Sequence, residues 1–143
     1  MATKAYNAAR LSLGNGVMDW DNGTFYAVLV SSTYVYSAAH TTYADVSANV
    51  ITDTDYAPVA LTGNTVALVE TDDVLYDSAD ISFGNPVTID ASGGHMIILA
   101  GSSAAPAAGD LLVFAREMAS PSASTNSEFT VTTPNGIYRI NAV

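Results

Sequence analysis

Three adjacent residue pairs, Asn22-Gly23, Gly63-Asn64 and Asn135-Gly136, restrict what this chain can fold into more than any other feature of it. Asparagine and glycine reach positive φ at little cost, so such pairs are the strongest short-range signal for a tight β-hairpin turn. Each pair precedes a run rich in β-branched or aromatic residues: Phe25 to Val30, Thr65 to Val69 and Ile137 to Ala142. The pattern predicts an antiparallel all-β protein with a hairpin at each pair.

Side-chain periodicity sorts the strands. In Phe25 to Val30, apolar residues fall on both faces, which is the mark of a strand covered on both sides. Met96 to Leu99 and Leu111 to Phe114 read the same way. Phe129 and Val131 alternate with Thr130 and Thr132, and Ile81 and Phe83 with Ser82 and Gly84, so those strands keep one wetter face. Central strands together with half-exposed ones predict a two-layer antiparallel β-sandwich, immunoglobulin-like or jelly-roll-like. Helix is scarce. Thr42 to Asp45 has capping-box spacing and predicts one or two turns as far as Asn49. Thr3 to Leu13 is alanine-rich and reads equally as a short helix or an extended arm. The 143 residues suit a single β-sandwich domain over 1–143, with 1–13 as that arm or helix. Two small-residue stretches, Gly101 to Gly109 and Ala119 to Ser127, are expected to be loops, mobile or ordered against a partner.

The charges narrow the partners. Between Leu11 and Ala115 there is no lysine or arginine, whereas twelve carboxylates fall there, and the whole chain carries a formal −10. Nucleic-acid binding needs cations to neutralise phosphates, and anionic membranes need them too; neither partner is expected. The longest large-aliphatic run, Met96 to Leu99, is far too short to cross a bilayer, and the first residues lack the apolar core of a signal peptide. Synthesis and folding in the cytosol, unless another machine exports the protein, is the expectation. With no cysteine, disulfides, thiolate metal sites and cysteine nucleophiles are excluded.

Chemical motifs fare poorly. Asp19-Trp20-Asp21-Asn22-Gly23 opens like a calcium-binding EF-hand loop, but Gly23 stands where the third ligand belongs and Val30 at the twelfth position. It reads as a turn. Two carboxylate clusters, Asp53 with Asp55, and Glu70, Asp72, Asp73 and Asp77, have no ligand spacing that separates calcium sites from solvated turns. His40 and His95 belong to no zinc motif, and His95 is expected to open the Met96 strand. Asp90, Ser92 and His95 lie too close along an extended chain to form a triad, and no nucleophile elbow surrounds Ser92. Neither Gly14-Asn15-Gly16 nor Gly93-Gly94 has the lysine and helix of a phosphate loop. The carboxylates are too many to single out a glycosidase pair. Tyr34, Tyr36 and Tyr43 would suit a sugar, though Tyr34 and Tyr36 on one side of a strand, with Trp20 filling the sandwich, is the plainer reading. No catalytic, cofactor-binding or metal-binding residues are therefore assigned.

A longer pattern runs through most of the chain. It joins Gly16 to Gly23, Phe25 to Tyr34, His40-Thr-Thr-Tyr-Ala-Asp-Val46, Asp55-Tyr56 to Thr62, Asp77 to Phe83 and Glu128 to Ile137. This resembles a family of small structural proteins of tailed bacteriophages, encoded among virion genes. The chain departs from it at Asp55, where the family usually has glycine, and in the alanine content of Gly101 to Gly109. The resemblance implies no enzymatic activity and no cofactor. It implies a virion component, foremost a capsid decoration or cement protein on the outer shell, bound to major capsid protein and to copies of itself. A homotrimer at a local three-fold axis is the expected assembly. The alternative is a tail- or fibre-associated module that binds host glycan, with or without calcium.

Overall fold

A computed structural model describes residues 3–52, 55–70, 73–84, 87–89, 94–118 and 124–141. The elements run β1 (Thr3–Ala5), α1 (Asn7–Gly14), β2 (Phe25–Val30), two single 3₁₀ turns (Tyr43–Asp45 and Ser47–Asn49), β3 (Val59–Ala60) and β4 (Thr65–Val69). They continue through β5 (Asp73–Asp77), β6 (Ile81–Ser82), β7 (Val87–Ile89), β8 (His95–Ala100), β9 (Leu111–Glu117), β10 (Ser124–Ser127), β11 (Thr130–Val131) and β12 (Tyr138–Ile140). The all-β antiparallel expectation is met, with one short helix.

The apolar runs form the centre. A five-stranded sheet has the order β1-β9-β8-β2-β3, and the three strands with two apolar faces lie in its middle. All six residues of β2 are buried, as are Met96 to Leu99 and Leu112 to Ala115. Their register places Phe25, Ala27, Leu29, Met96, Ile98 and Phe114 on one face, and Tyr26, Val28, Ile97 and Ala115 on the other. Between Ile98 and Leu99 the partner strand gains a residue, Val113, a β-bulge. The Val113 carbonyl accepts the amide of Tyr6, which fixes the chain where β1 turns into α1.

A three-stranded sheet, β12-β5-β4, covers the Phe114 face. Its Tyr76 and Tyr138 meet the Phe114 ring at 5.8 and 4.8 Å. Trp20 fills the remaining gap as the sequence suggested. Its ring lies 4.6 Å from Phe25 and 5.3 Å from Phe114, and its indole N–H donates to the Asp77 carbonyl at 2.9 Å. Two layers thus enclose one aromatic core, in sandwich fashion. β6 with β11, and β7 with β10, form two further antiparallel pairs.

The turn pairs reverse the chain but close no hairpin. β2 follows α1, β3 pairs with β2 rather than with β4, and β12 pairs with β5 rather than with β11. Gly63 (φ 64°) and Gly136 (φ 76°) do take the left-handed conformation, so each pair bends the chain from one sheet to another. The strands adjacent in sequence that pair with each other are β4–β5, turned at Glu70 (φ 54°), and β8–β9, across 101–110. At the N-terminus, Thr3–Ala5 form β1, paired with β9 in the large sheet, and Asn7–Gly14 form α1. The Gly101 to Gly109 loop is tied down through Ala44 N–H to the Ala108 carbonyl and Ala107 N–H to Asp110. Of the second small-residue stretch, residues 119–123 lie outside the described residues, and 124–127 form β10.

Candidate functional site

A gathering of titratable side chains lies on the Tyr26 face of the large sheet. Residues 31–41 are not the strand expected around Tyr34 and Tyr36; they form an irregular segment that crosses this face. Tyr34 is nearly enclosed, and its hydroxyl meets Tyr6 Oη at 2.9 Å and His40 Nδ1 at 3.0 Å. His95, first residue of β8 as predicted, packs edge-on against the Tyr34 ring at 5.6 Å, and His40 lies 5.7 Å away on the same ring. The fold therefore brings both histidines to one tyrosine, although 54 positions separate them in the sequence. No local spacing encodes that meeting. Tyr36 completes the group, donating to the Ala5 carbonyl at 2.9 Å beneath the Lys4 ammonium, 5.1 Å from its ring.

Burial, reinforced by the Tyr34 hydroxyl, pushes the Tyr6 phenol far above its ordinary value. Burial raises Tyr34 as well and lowers His95, whose Nδ1 is enclosed with no hydrogen-bond partner among the described residues. Neutral, packed rings joined hydroxyl to hydroxyl make a structural network that pins the 31–41 segment to the sheet. Two further tyrosine hydroxyls close bonds elsewhere on the large sheet. Tyr26 donates to Asp110 at 2.7 Å, and Tyr56 accepts the Leu29 amide at 2.8 Å where β2 runs past the end of β3.

The carboxylates are largely taken up by backbone and arginine. Asp19 accepts the amides of Asp21 and Asn22 and the Asn22 side chain, an Asx turn that holds its carboxyl below the usual value. Asp45 likewise reaches back to the amides of Thr41 and Thr42, the capping-box contact predicted for that turn. In the second acidic cluster, Arg139 binds Glu70 at 2.9 Å and Asp73 through Nε at 2.7 Å, while Asp77 receives the Ser78 amide. Asp53, Asp72, Asp90 and Ser92 lie outside the described residues, and Asp55 is exposed at φ 63°. Among the described residues no three His, Asp or Glu side chains converge as metal ligands would.

One cavity, of about 430 Å³, is lined by Thr3, Arg116, Asn135, Tyr138 and Arg139 among others, with no carboxylate side chain among the described residues of its wall. Arg116 Nη1 is enclosed without an acceptor among the described residues, and burial lowers the guanidinium from its usual range. The described part of the wall is rich in hydrogen-bond donors. Trp20 and Tyr34 are buried, so neither offers a flat face to a sugar.

The chain matches no protein family, no curated protein and no solved structure. Among the described residues no helix is long and apolar enough to cross a membrane.

Proposed function

We propose that this chain is a non-enzymatic structural protein of a tailed-phage virion, acting as a capsid decoration or cement protein on the outer surface of the head. The observation that carries the reading is how its reactive side chains are spent. His40, the buried tyrosines and several carboxylates close structural bonds, and His95 packs edge-on against the Tyr34 ring. What the chain offers a partner is a rigid two-layer scaffold with an anionic surface. A cement protein needs that: shape and repeated modest contacts, whose avidity stabilises a shell without chemistry. The sequence resemblance to phage structural proteins supports the same reading. Its partners would be major capsid protein and further copies of itself, with nucleic acid and membrane disfavoured by charge.

The test is compositional. Purified particles should contain this chain in a fixed ratio to major capsid protein, with density on the head exterior, and heads lacking it should rupture at lower temperature. A few copies confined to the tail, together with measurable glycan binding, would replace the proposal with the tail-module alternative. Turnover of a small molecule by the isolated chain would refute both.

A further inference from the structure

The edges of the sheets differ in one respect that bears on self-association. Exposed strand edges template pairing with other chains, and proteins blunt them with charge, proline, bulges or brevity. In the large sheet, β1 has three residues including Lys4, and β3 has two and follows Pro58. In the smaller sheet, β12 has three residues including Arg139. The opposite edge, β4, has none of these devices. Thr65-Val-Ala-Leu-Val69 is five residues long, uncharged and in unbroken register with β5, and its first four residues are exposed. Val66 and Leu68 share a face with Val74, Tyr76 and Ile140, and there Leu68 is 69% exposed, Ile140 47% and Val66 36%.

We infer that β4 is a self-association edge, at which two copies of this chain pair antiparallel about a two-fold axis through Ala67. The sequence of the strand is complementary to itself in that register. Ala67 meets its own copy, Val66 meets Leu68 of the second copy on the apolar face, and Thr65 meets Val69 on the other. The two small sheets become one six-stranded sheet, and the half-exposed Val66 and Leu68 gain apolar neighbours. Charge leaves this register open to a second copy. A chain of net −10 repels its copies over most of its surface, but here no carboxylate opposes another, because Glu70 falls opposite Asn64 and is already bound by Arg139. The contact is isologous, so it yields pairs rather than the three-fold ring expected from sequence. It does not rest on the virion reading.

The absence of cysteine makes the register directly testable in the full chain. Directly opposed residues of antiparallel strands have Cα atoms about 4.5–5.5 Å apart, inside the range a disulfide spans. Ala67→Cys is therefore expected to give a covalent dimer on mild oxidation. Thr65→Cys is not, since its counterpart lies roughly 13 Å along the strand. In sedimentation at physiological salt the unaltered chain should dimerise in a concentration-dependent way, and Leu68→Lys should be monomeric with unchanged circular dichroism. An unaltered chain that stays monomeric at several hundred micromolar would overturn the inference. So would Thr65→Cys cross-linking as readily as Ala67→Cys, or a dimer indifferent to Leu68→Lys. Each of these leaves the location of the chain in a particle untouched, and absence from particles leaves the dimer untouched.

Discussion

Replacing Trp20 by Phe tests how the two layers are held together. The indole is 2% exposed, wedged between Phe25 and Phe114 of the large sheet and Tyr76 of the small one, and is bonded to the Asp77 carbonyl. Phenylalanine keeps one aromatic ring on that stack but cannot donate. Losing the hydrogen bond costs about 1 kcal/mol net, and the half-buried carbonyl left without its donor adds up to about 1 kcal/mol more. The missing ring leaves a gap of roughly 40 Å³, worth about 1 kcal/mol at ~24 cal/mol per Å³ if the neighbours do not close in. The expected loss is about 2–3 kcal/mol, a large share of the 5–15 kcal/mol typical of a domain. With a urea m-value of about 2 kcal/mol per M, the midpoint should fall by roughly 1–1.5 M. Far-UV circular dichroism is the right probe, because the substitution removes the only tryptophan and with it the fluorescence signal. A midpoint shift under about 0.3 M would mean that the layers are held by Phe114, Tyr76 and Tyr138 without the indole, and the wedge account would fail.

Other perturbations probe the remaining parts of the structure. Tyr34→Phe strands both the Tyr6 hydroxyl and His40 Nδ1, and should lower unfolding free energy by about 1–3 kcal/mol in urea denaturation. At Gly136 an added Cβ would lie 2.5 Å from Leu75 Cδ1 at φ 76°, whereas at Gly63 its nearest contact is 3.6 Å. Gly136→Ala should therefore cost about 2 kcal/mol or more, and Gly63→Ala about 1 kcal/mol, so equal thermal shifts would contradict the close approach. His95 is held neutral by burial, which puts its folded pKa below the ordinary 6.5, with Lys4 acting in the same sense and Glu117 against it. As pH falls through 6.5 the unfolded chain takes up the proton first, so this contribution to stability is intact above that value and shrinks below it. Unfolding titrations should show stability declining as pH falls below 6.5, and His95→Gln should flatten that decline.

Strand positions were readable in the sequence because burial on two faces leaves an unbroken apolar run, and both Phe25–Val30 and Met96–Leu99 have one. Their partnership was not. β2 pairs with β8 across some seventy positions, and nothing in either run specifies the other. The Asn-Gly pairs misled for a related reason. A residue at positive φ fixes a reversal of direction, while the choice of partner depends on which sheet edge lies within reach of the next strand. Gly63 sends the chain from β3 to β4 in a different sheet, and Gly136 sends it from β11 to β12. The 31–41 segment was misread because its tyrosines mimic alternation, when their hydroxyls in fact anchor an irregular path to Tyr6, His40 and Ala5.

Charge separates the two contacts proposed for this chain. Arg139 is already bound by Glu70 and Asp73, and Arg116 is half-buried with Nη1 enclosed, so the accessible field is more one-sided than four cations against fourteen carboxylates implies. Any partner docking on an acidic face must present cations, and such a contact weakens as salt screens it. Pairing through β4 has the opposite sign. The strand is uncharged, and the opposing force is the mutual repulsion of two chains of net −10, which salt relieves. Raising ionic strength from about 0.05 to 0.5 M should therefore strengthen the dimer while loosening attachment to a basic shell surface. If both contacts weaken together, the dimer is held by ion pairs, and the uncharged edge is not where the copies meet.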